Sequence, residues 1–178
     1  MIDVPILAGE RIRLRGHRPD DLDAYTALWS DETVVRFIGG QPLGKSDCWA
    51  RILRFRGMWS VMGFGFWVVE DVRTGALIGE AGIMDMKREI EPSLDGTLET
   101  GWALLPAFHG QGLAREVMDL VLDWVDIHHP TIPQSCIIAE QNAPSMRLAA
   151  KLGFTESGRG TFHGAGLVHF RRRPRSAR

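Results

Sequence analysis

An α+β domain built on one mixed sheet follows from three features of the chain. The hydrophobic period switches repeatedly between two and 3.6, giving the order β-α-α-β-β-β-α-β-α-β-β. No Pro-, Gly- or Ser-rich linker, internal repeat or low-complexity tract divides the 178 residues, so 1–178 reads as a single domain. The composition, 44% hydrophobic and 24% charged, is that of a globular protein and excludes a disordered chain or a disulfide-scaffold mini-protein.

Residues 10–15, ERIRLR, alternate polar and apolar as a strand does. Pro19, Asp20 and Asp21 open a helix, with acids where the helix dipole favours them. Leu22, Tyr25, Leu28 and Trp29 form its apolar face. The segment 37–44 is turn-rich, with Gly39, Gly40, Pro42 and Gly44. Ser46 or Asp47 suits the cap of a second helix running to about Arg56, carrying Trp49, Ile52, Leu53 and Phe55.

Residues 64–70 and 76–84 then read as a hairpin around Arg73, Thr74 and Gly75. The polar stretch 87–97 is a loop and 98–105 a strand. Residues 113–128 are strongly helical, with Leu113, Val117, Leu120, Val121 and Trp124 on one face. Pro130 and Pro133 stop that helix. A strand at 134–140 leads to a short helix at 144–152 closed by Gly153, a natural C′ residue. Strands near 154–159 and 165–172 follow, and the tail 171–178, RRRPRSAR, reads as frayed and solvated.

Charge and cysteine content narrow the partners. Lys+Arg is 21 and Asp+Glu is 22, a net charge of −1, so no global field favours nucleic acid or an anionic membrane. Cys48 and Cys136 are far apart and form no CxxC pair, which reads as two free thiols in a reducing compartment. The N-terminus carries no signal-peptide pattern, and the uncharged run 57–69 is too short to span a bilayer. A cytoplasmic protein is expected. His128 and His129 suit a helix C-terminus, and no metal is expected there.

Two segments carry chemistry. In 98–115, LETGWALLPAFHGQGLAR, a strand feeds a loop whose Gly110 and Gly112 let backbone N–H groups converge ahead of a helix N-terminus. That arrangement suits a phosphate or pyrophosphate, although a plain strand–helix turn has the same glycines. The loop fits neither GxGxxG nor GxxxxGK[ST], and the missing lysine disfavours ATP. In 135–154, SCIIAEQNAPSMRLAAKLGF, Asn142 turns the chain and Ser145 lies in the first turn of a helix. Spacing alone makes Asn142 an ordinary N-cap.

Together these segments resemble the GNAT superfamily of acetyl-CoA-dependent N-acetyltransferases. The run His109-Gly110-Gln111-Gly112-Leu113-Ala114 resembles its pyrophosphate loop, [Q/R]xxGx[G/A], with His109 where the family prefers Gln or Arg. Asn142-Ala143-Pro144-Ser145 with Lys151-Leu152-Gly153-Phe154 resembles its N-x-x-S…LGF segment. Glu10 to Arg15, Pro19-Asp20-Asp21 and Val34 to Gly40 resemble the branch that acetylates ribosomal-protein N-termini.

The resemblance implies a mostly antiparallel twisted sheet with two splayed parallel central strands, flanked by about four helices. It implies acetyl-CoA as co-substrate and a primary amine as acceptor, either a protein N-terminus or a small molecule. The backbone of Ala103, Leu104 and Leu105 would pair with the pantetheine arm. Residues His109 to Ala114, with Arg115, would hold the pyrophosphate, and Asn142 and Ser145 would contact the arm. Glu99 is the expected general base, against the plain reading of a solvated edge glutamate; Glu80 is the runner-up on the ground of its apolar sequence neighbours, a water chain is the third choice, and Ser145 is the acid for the leaving thiolate. Phe37, Ile38 and Trp102 are the expected acceptor contacts, although most aromatics, Trp49, Trp59 and Trp67 among them, are more simply core. A monomer or homodimer is expected. The alternative is a catalytically silent acyl-CoA-binding or regulatory module on the same fold.

Overall fold

The computed structural model describes residues 3–162 and 164–175. The alternation at the start becomes a strand at Ile12–Arg15 (β2), preceded by a two-residue strand at Leu7–Ala8 (β1). Pro19–Asp21 form one 3-10 turn, in which the Asp21 carboxylate accepts from the Arg18 amide at 2.6 Å. It leads into α1 (Leu22–Ser30), with Tyr25, Leu28 and Trp29 buried. A four-residue helix, α2 (Glu32–Val35), follows, capped by the Asp31 carboxylate. It is too short to show a period in sequence. Helix α3 (Lys45–Met62) starts from Gly44, not from a cap at Ser46 or Asp47, and runs beyond Arg56 until Gly63, at φ +73°, ends it. Its inner face buries Ile52 and Phe55, while Trp49 and Leu53 lie exposed outside.

The later elements follow the expected order. They are β3 (Phe66–Asp71), β4 (Leu77–Met84), β5 (Leu98–Leu104), a 3-10 turn at Pro106–Phe108, α4 (Leu113–His128) and β6 (Gln134–Ala139). Then come α5 (Ala143–Lys151), β7 (Thr155–Phe162) and β8 (Ala165–Arg172). Among the described residues the strands form one eight-stranded sheet, ordered β1-β2-β3-β4-β5-β6-β8-β7. Every neighbouring pair is antiparallel except β5 and β6, which run parallel. Their register holds only at Leu98↔Gln134 and Glu99↔Ser135, and beyond it the strands splay. The fold is the expected one, with five α-helices among the described residues in place of about four.

Helix α4 covers one face of the sheet. Leu113, Val117, Val121 and Trp124 are buried there, and Trp124 meets Trp67 at 5.3 Å between ring centroids. Helices α1 and α3 cover part of the other face, where Ala103 and Val68 join Tyr25, Leu28 and Ile52. Cys48 and Cys136 are buried free thiols.

The expected frayed tail needs correction at its start. Arg171 and Arg172 belong to β8, and Arg172 is 5% exposed. Its guanidinium pairs with Asp126 of α4 at 2.6 Å and donates to the Gln134 side chain, so burial there is compensated. Residues 176–178 of the tail lie outside the described residues. Among the described residues, no helix is long and apolar enough to cross a membrane.

Candidate active site

The splay between β5 and β6 makes a gap with one closed end. The Leu98 amide donates to the Pro133 carbonyl on the β6 side at 2.9 Å. The Leu105 amide donates to Ile78 of β4 at 2.8 Å. Backbone groups alternate along an antiparallel strand, so even-numbered residues of β5 face the gap and odd-numbered ones face β4. Trp102 and Leu104 therefore present N–H and C=O to the gap. This corrects the expected trio: the Ala103 and Leu105 backbones bond toward β4, and only Leu104 of the three faces the gap. Thr100 Oγ1 donates to the Ser135 carbonyl at 2.8 Å, and the Thr97 and Ser135 hydroxyls share a 2.8 Å hydrogen bond, tying the closed end.

The loop after β5 lies at the open end. Gly110 and Gly112 sit at φ +73° and +77°, in the left-handed region that a side chain would strain. Gly112 caps α4, and its carbonyl accepts from the Arg115 and Glu116 amides. The first amides of the helix have no acceptor within it and carry the positive end of its dipole. A Cβ at Gly110 would meet nothing within 4 Å, so the space ahead of the loop is open. These features fit a diphosphate. The His109 side chain turns inward, its Nε2 2.8 Å from the Leu104 carbonyl, leaving backbone as its contribution to the loop. Gln111 folds its amide onto the Ala107 carbonyl at 2.8 Å. Arg115 is held by Asp119 at 2.7 Å and by the Lys151 carbonyl at 3.0 Å, so its charge stands beside the loop and is already paired.

Sequence reading missed Arg11. Its Nη1 donates to the Gln111 carbonyl at 3.0 Å, and its guanidinium pairs with Glu116 at 2.8 Å. It clamps the loop from the far edge of the sheet, a contact with no local signal in sequence.

Asn142 and Ser145 start α5 at the carboxyl end of β6, beside the same open end. Asn142 Oδ1 accepts from the Ser145 amide at 3.2 Å, the N-cap that spacing suggested.

Side chains on β5 also alternate between faces. Glu99 shares a face with Ala103, whereas Trp102 packs on the opposite face with the α4 core. Of the three expected acceptor contacts, Trp102 is thus separated from Phe37 and Ile38. Phe37 packs against Ile90, Ala139 and Leu167, across the Glu99 face at the open end of β6, and Ile38 is exposed beside it.

Glu99 is 5% exposed, and Arg88 Nε donates to its Oε2 at 2.8 Å. Burial pushes its carboxyl above the usual carboxylate range, and Arg88 opposes that rise without cancelling it.

Glu80 stands in surroundings unlike those its sequence neighbours suggested. It is buried among His17, Tyr25 and Arg51. Tyr25 Oη and Arg51 Nη2 both donate to it, and His17 Nε2 stands 3.5 Å away. Burial alone would push its carboxyl up, but Arg51 and these contacts hold it below the usual range. Its apolar sequence neighbours Ile78 and Ala81 pack into the α4-side core, and Gly79 and Gly82 carry no side chain. Glu80 is thus an ion-paired carboxylate, not the base with raised pKa that its sequence neighbours suggested. Among the described residues, no three His, Cys, Asp or Glu side chains are grouped to hold a metal.

A family model described as "Acetyltransferase (GNAT) domain" matches residues 11–155. A solved structure described as a GnaT-family acetyltransferase from Bordetella pertussis superposes with a TM-score of 0.84 at 30% identity, covering 95% of this chain and 99% of that one. The ribosomal-protein-S5-alanine acetyltransferase of Vibrio fischeri superposes with a TM-score of 0.77 at 14% identity, over 96% and 97% of the chains. The spermidine N-acetyltransferase of Vibrio cholerae, solved with CoA and spermine, gives 0.74 at 17%, over 93% and 97%. The last two likenesses concern the fold.

Proposed function

The chain belongs to the GNAT acetyltransferase family, and on that premise we propose that it moves an acetyl group from acetyl-CoA to a primary amine by direct transfer in a ternary complex. One observation carries this reading: the backbone of Trp102 and Leu104 faces a gap that ends at the glycine loop and the N-terminus of α4. An extended pantetheine arm can add there as a strand would, with its diphosphate on the amides from Gly110 to Ala114.

Glu99 takes the proton that the acceptor nitrogen must lose, from the face opposite Trp102. A gap-facing amide of β5 donates to the developing oxyanion. Ser145 supplies a proton to the departing sulfur. Holding amine and thioester together contributes much of the rate. Phe37 and Ile38 border the acceptor side, and the Trp102 side chain flanks the α4 side. The acceptor is a protein N-terminus or a small-molecule amine, the two kinds named for the ribosomal-protein and spermidine enzymes above. The chain acts in the cytoplasm as a monomer or homodimer.

A silent acyl-CoA-binding module is the second reading, because Glu99 is already bonded to Arg88. Calorimetric titration with acetyl-CoA, for the parent and a Gly112→Trp variant, tests the site. Binding by the parent and loss in the variant support it, and a folded parent that does not bind overturns both readings. CoA release is then followed with spermidine and with Ala- and Ser-initiated peptides. Turnover with any of them supports the enzyme, and binding without turnover favours the silent module.

A further inference from the structure

We propose that Arg88 is a positioning residue for acetyl transfer: it holds Glu99 while no acceptor is bound, and the acceptor's primary ammonium group displaces it from the carboxylate. The inference rests on the reading of Glu99 as the base.

Arg88 lies on the connection between β4 and β5. Its Nε is 2.8 Å from Glu99 Oε2, and its Nη2 is 3.9 Å from Met84 Sδ. Its guanidinium carbon lies 5.5 Å from the centroid of the Phe162 ring on β7. The guanidinium therefore spans the Glu99 face from the end of β4 to the β7–β8 hairpin. The cleft lined by Glu99, Arg88, Met84 and Thr97 has a volume of about 10 Å³. That is the threshold for a single water. An amine reaching Glu99 through this cleft must take the place of the guanidinium.

The replacement has to be a cation. A neutral ligand would leave a buried carboxylate without a counter-charge, whereas an ammonium restores one. The released guanidinium retains the face of the Phe162 ring. The charges around Glu99 agree with this exchange. Asp85 and Arg88 approach from the connection, with Asp85 itself paired to Lys87 at 2.7 Å. From β6 come the Ser135 hydroxyl and the Cys136 thiol, whose pKa burial and Glu99 push up. Arg171 of β8, registered with Ser135, donates to the Ser93 carbonyl. His169 lies on the same face, registered with Ile137. The adjoining surface hollow mixes Glu89, Glu91 and Asp95 with Lys87 and Arg88.

The reaction balances. The ammonium passes one proton to Glu99, and the freed lone pair forms the bond to the acetyl carbon. The carbon–sulfur bond breaks, and the second nitrogen proton reaches sulfur by way of Ser145. Glu99 releases its proton to solvent as Arg88 returns.

The test follows the Glu99 carboxyl carbon by NMR, assigned through Glu99→Gln, in the parent, Arg88→Gln and Arg88→Lys. In Arg88→Gln its titration midpoint should rise by about one to two pH units. Added n-butylammonium chloride should move that resonance at roughly tenfold lower concentration than in the parent. With the best acceptor of the panel, KM should fall about tenfold above the midpoint, with kcat within about threefold. Arg88→Lys, which keeps the charge, should hold the midpoint near the parent's and guards against a folding defect. Equal butylammonium responses in parent and Arg88→Gln, or loss of kcat at unchanged KM, overturn the proposal. The base assignment fails separately. If Glu99→Gln keeps parental turnover while Arg88→Gln still lowers KM, displacement stands without the base. If Glu99→Gln is inactive and KM does not fall, the base stands and displacement is overturned.

Discussion

Replacing Glu80 by Gln separates a structural ion pair from a proton-transfer group. Glu80 is 1% exposed, and Arg51, its ionic partner, keeps 22% of its side-chain surface in contact with water. Removing one partner of a buried pair costs about 3–5 kcal/mol, because the other charge is left without compensation. Arg51 keeps some hydration and stacks over Trp29 at 4.1 Å, so the lower end applies, about 3 kcal/mol. At about 2–4 °C per kcal/mol for a domain of this size, Tm falls by roughly 6–12 °C. Adding Arg51→Met should recover part of the loss by removing the orphaned charge.

The pH dependence has a definite sign. The folded pKa of Glu80 lies below its unfolded value, so the pair's stabilisation is present above about pH 4.3 and is lost as pH falls through the folded value. The stability difference between parent and variant should therefore narrow below about pH 4. Urea unfolding followed by tryptophan fluorescence, at pH 7 and in acid, measures both effects. A variant within about 0.5 kcal/mol of the parent at pH 7 would refute the reasoning, as would a difference that widens in acid. The acidic limb of the rate profile should stay in place in Glu80→Gln. Lost turnover at full stability would return Glu80 to the chemistry.

Three further outcomes are expected. Gly112→Val should cost about 1–2 kcal/mol through its positive φ alone, since the nearest neighbour of an added Cβ is 3.8 Å away. It should weaken acetyl-CoA binding at least about tenfold by calorimetry, through lost loop geometry. Ser145→Ala should leave stability within about 0.5 kcal/mol, because the backbone amide makes the cap bond, and should lower kcat about 100-fold. Unchanged kcat removes the acid role. Arg172→Met should cost about 3 kcal/mol in urea unfolding by stranding Asp126, whereas truncation after Arg173 loses, among the described residues, the exposed pair Arg175–Asp123 and should cost under about 1 kcal/mol.

What the sequence could reveal depended on how local the cause was. Helix α4 was legible because Val117, Val121 and Trp124 repeat over enough turns to show a face. Helix α2 was not, since its four residues complete about one turn. The glycine loop was legible because Gly110 and Gly112 are needed for local backbone geometry. The surroundings of Glu80 were not: His17, Tyr25 and Arg51 come from three separate segments, and only the folded sheet brings them to one carboxylate. Arg11 and Arg88 escaped notice for the same reason, as their partners lie across the sheet or across a loop.

The sequence marked β5 as a strand but could not tell which backbone groups point where. The short parallel register with β6 decides that. It fixes the closed end of the gap at Glu99 and Ser135, and alternation assigns the rest. Even positions turn their amides and carbonyls into the gap and their side chains, Trp102 among them, toward α4. Odd positions bond to β4 and send side chains, including Glu99, to the opposite face. One strand thus offers an extended ligand its backbone on one edge and an acceptor its carboxylate on one face. A slip of one residue in β5 would exchange the two sets, burying Trp102 against Arg88 and driving Glu99 into the α4 core. The hydroxyl bonds of Thr97 and Thr100 to Ser135 sit at the place where such a slip would begin, which gives these side chains a role beyond filling the sheet.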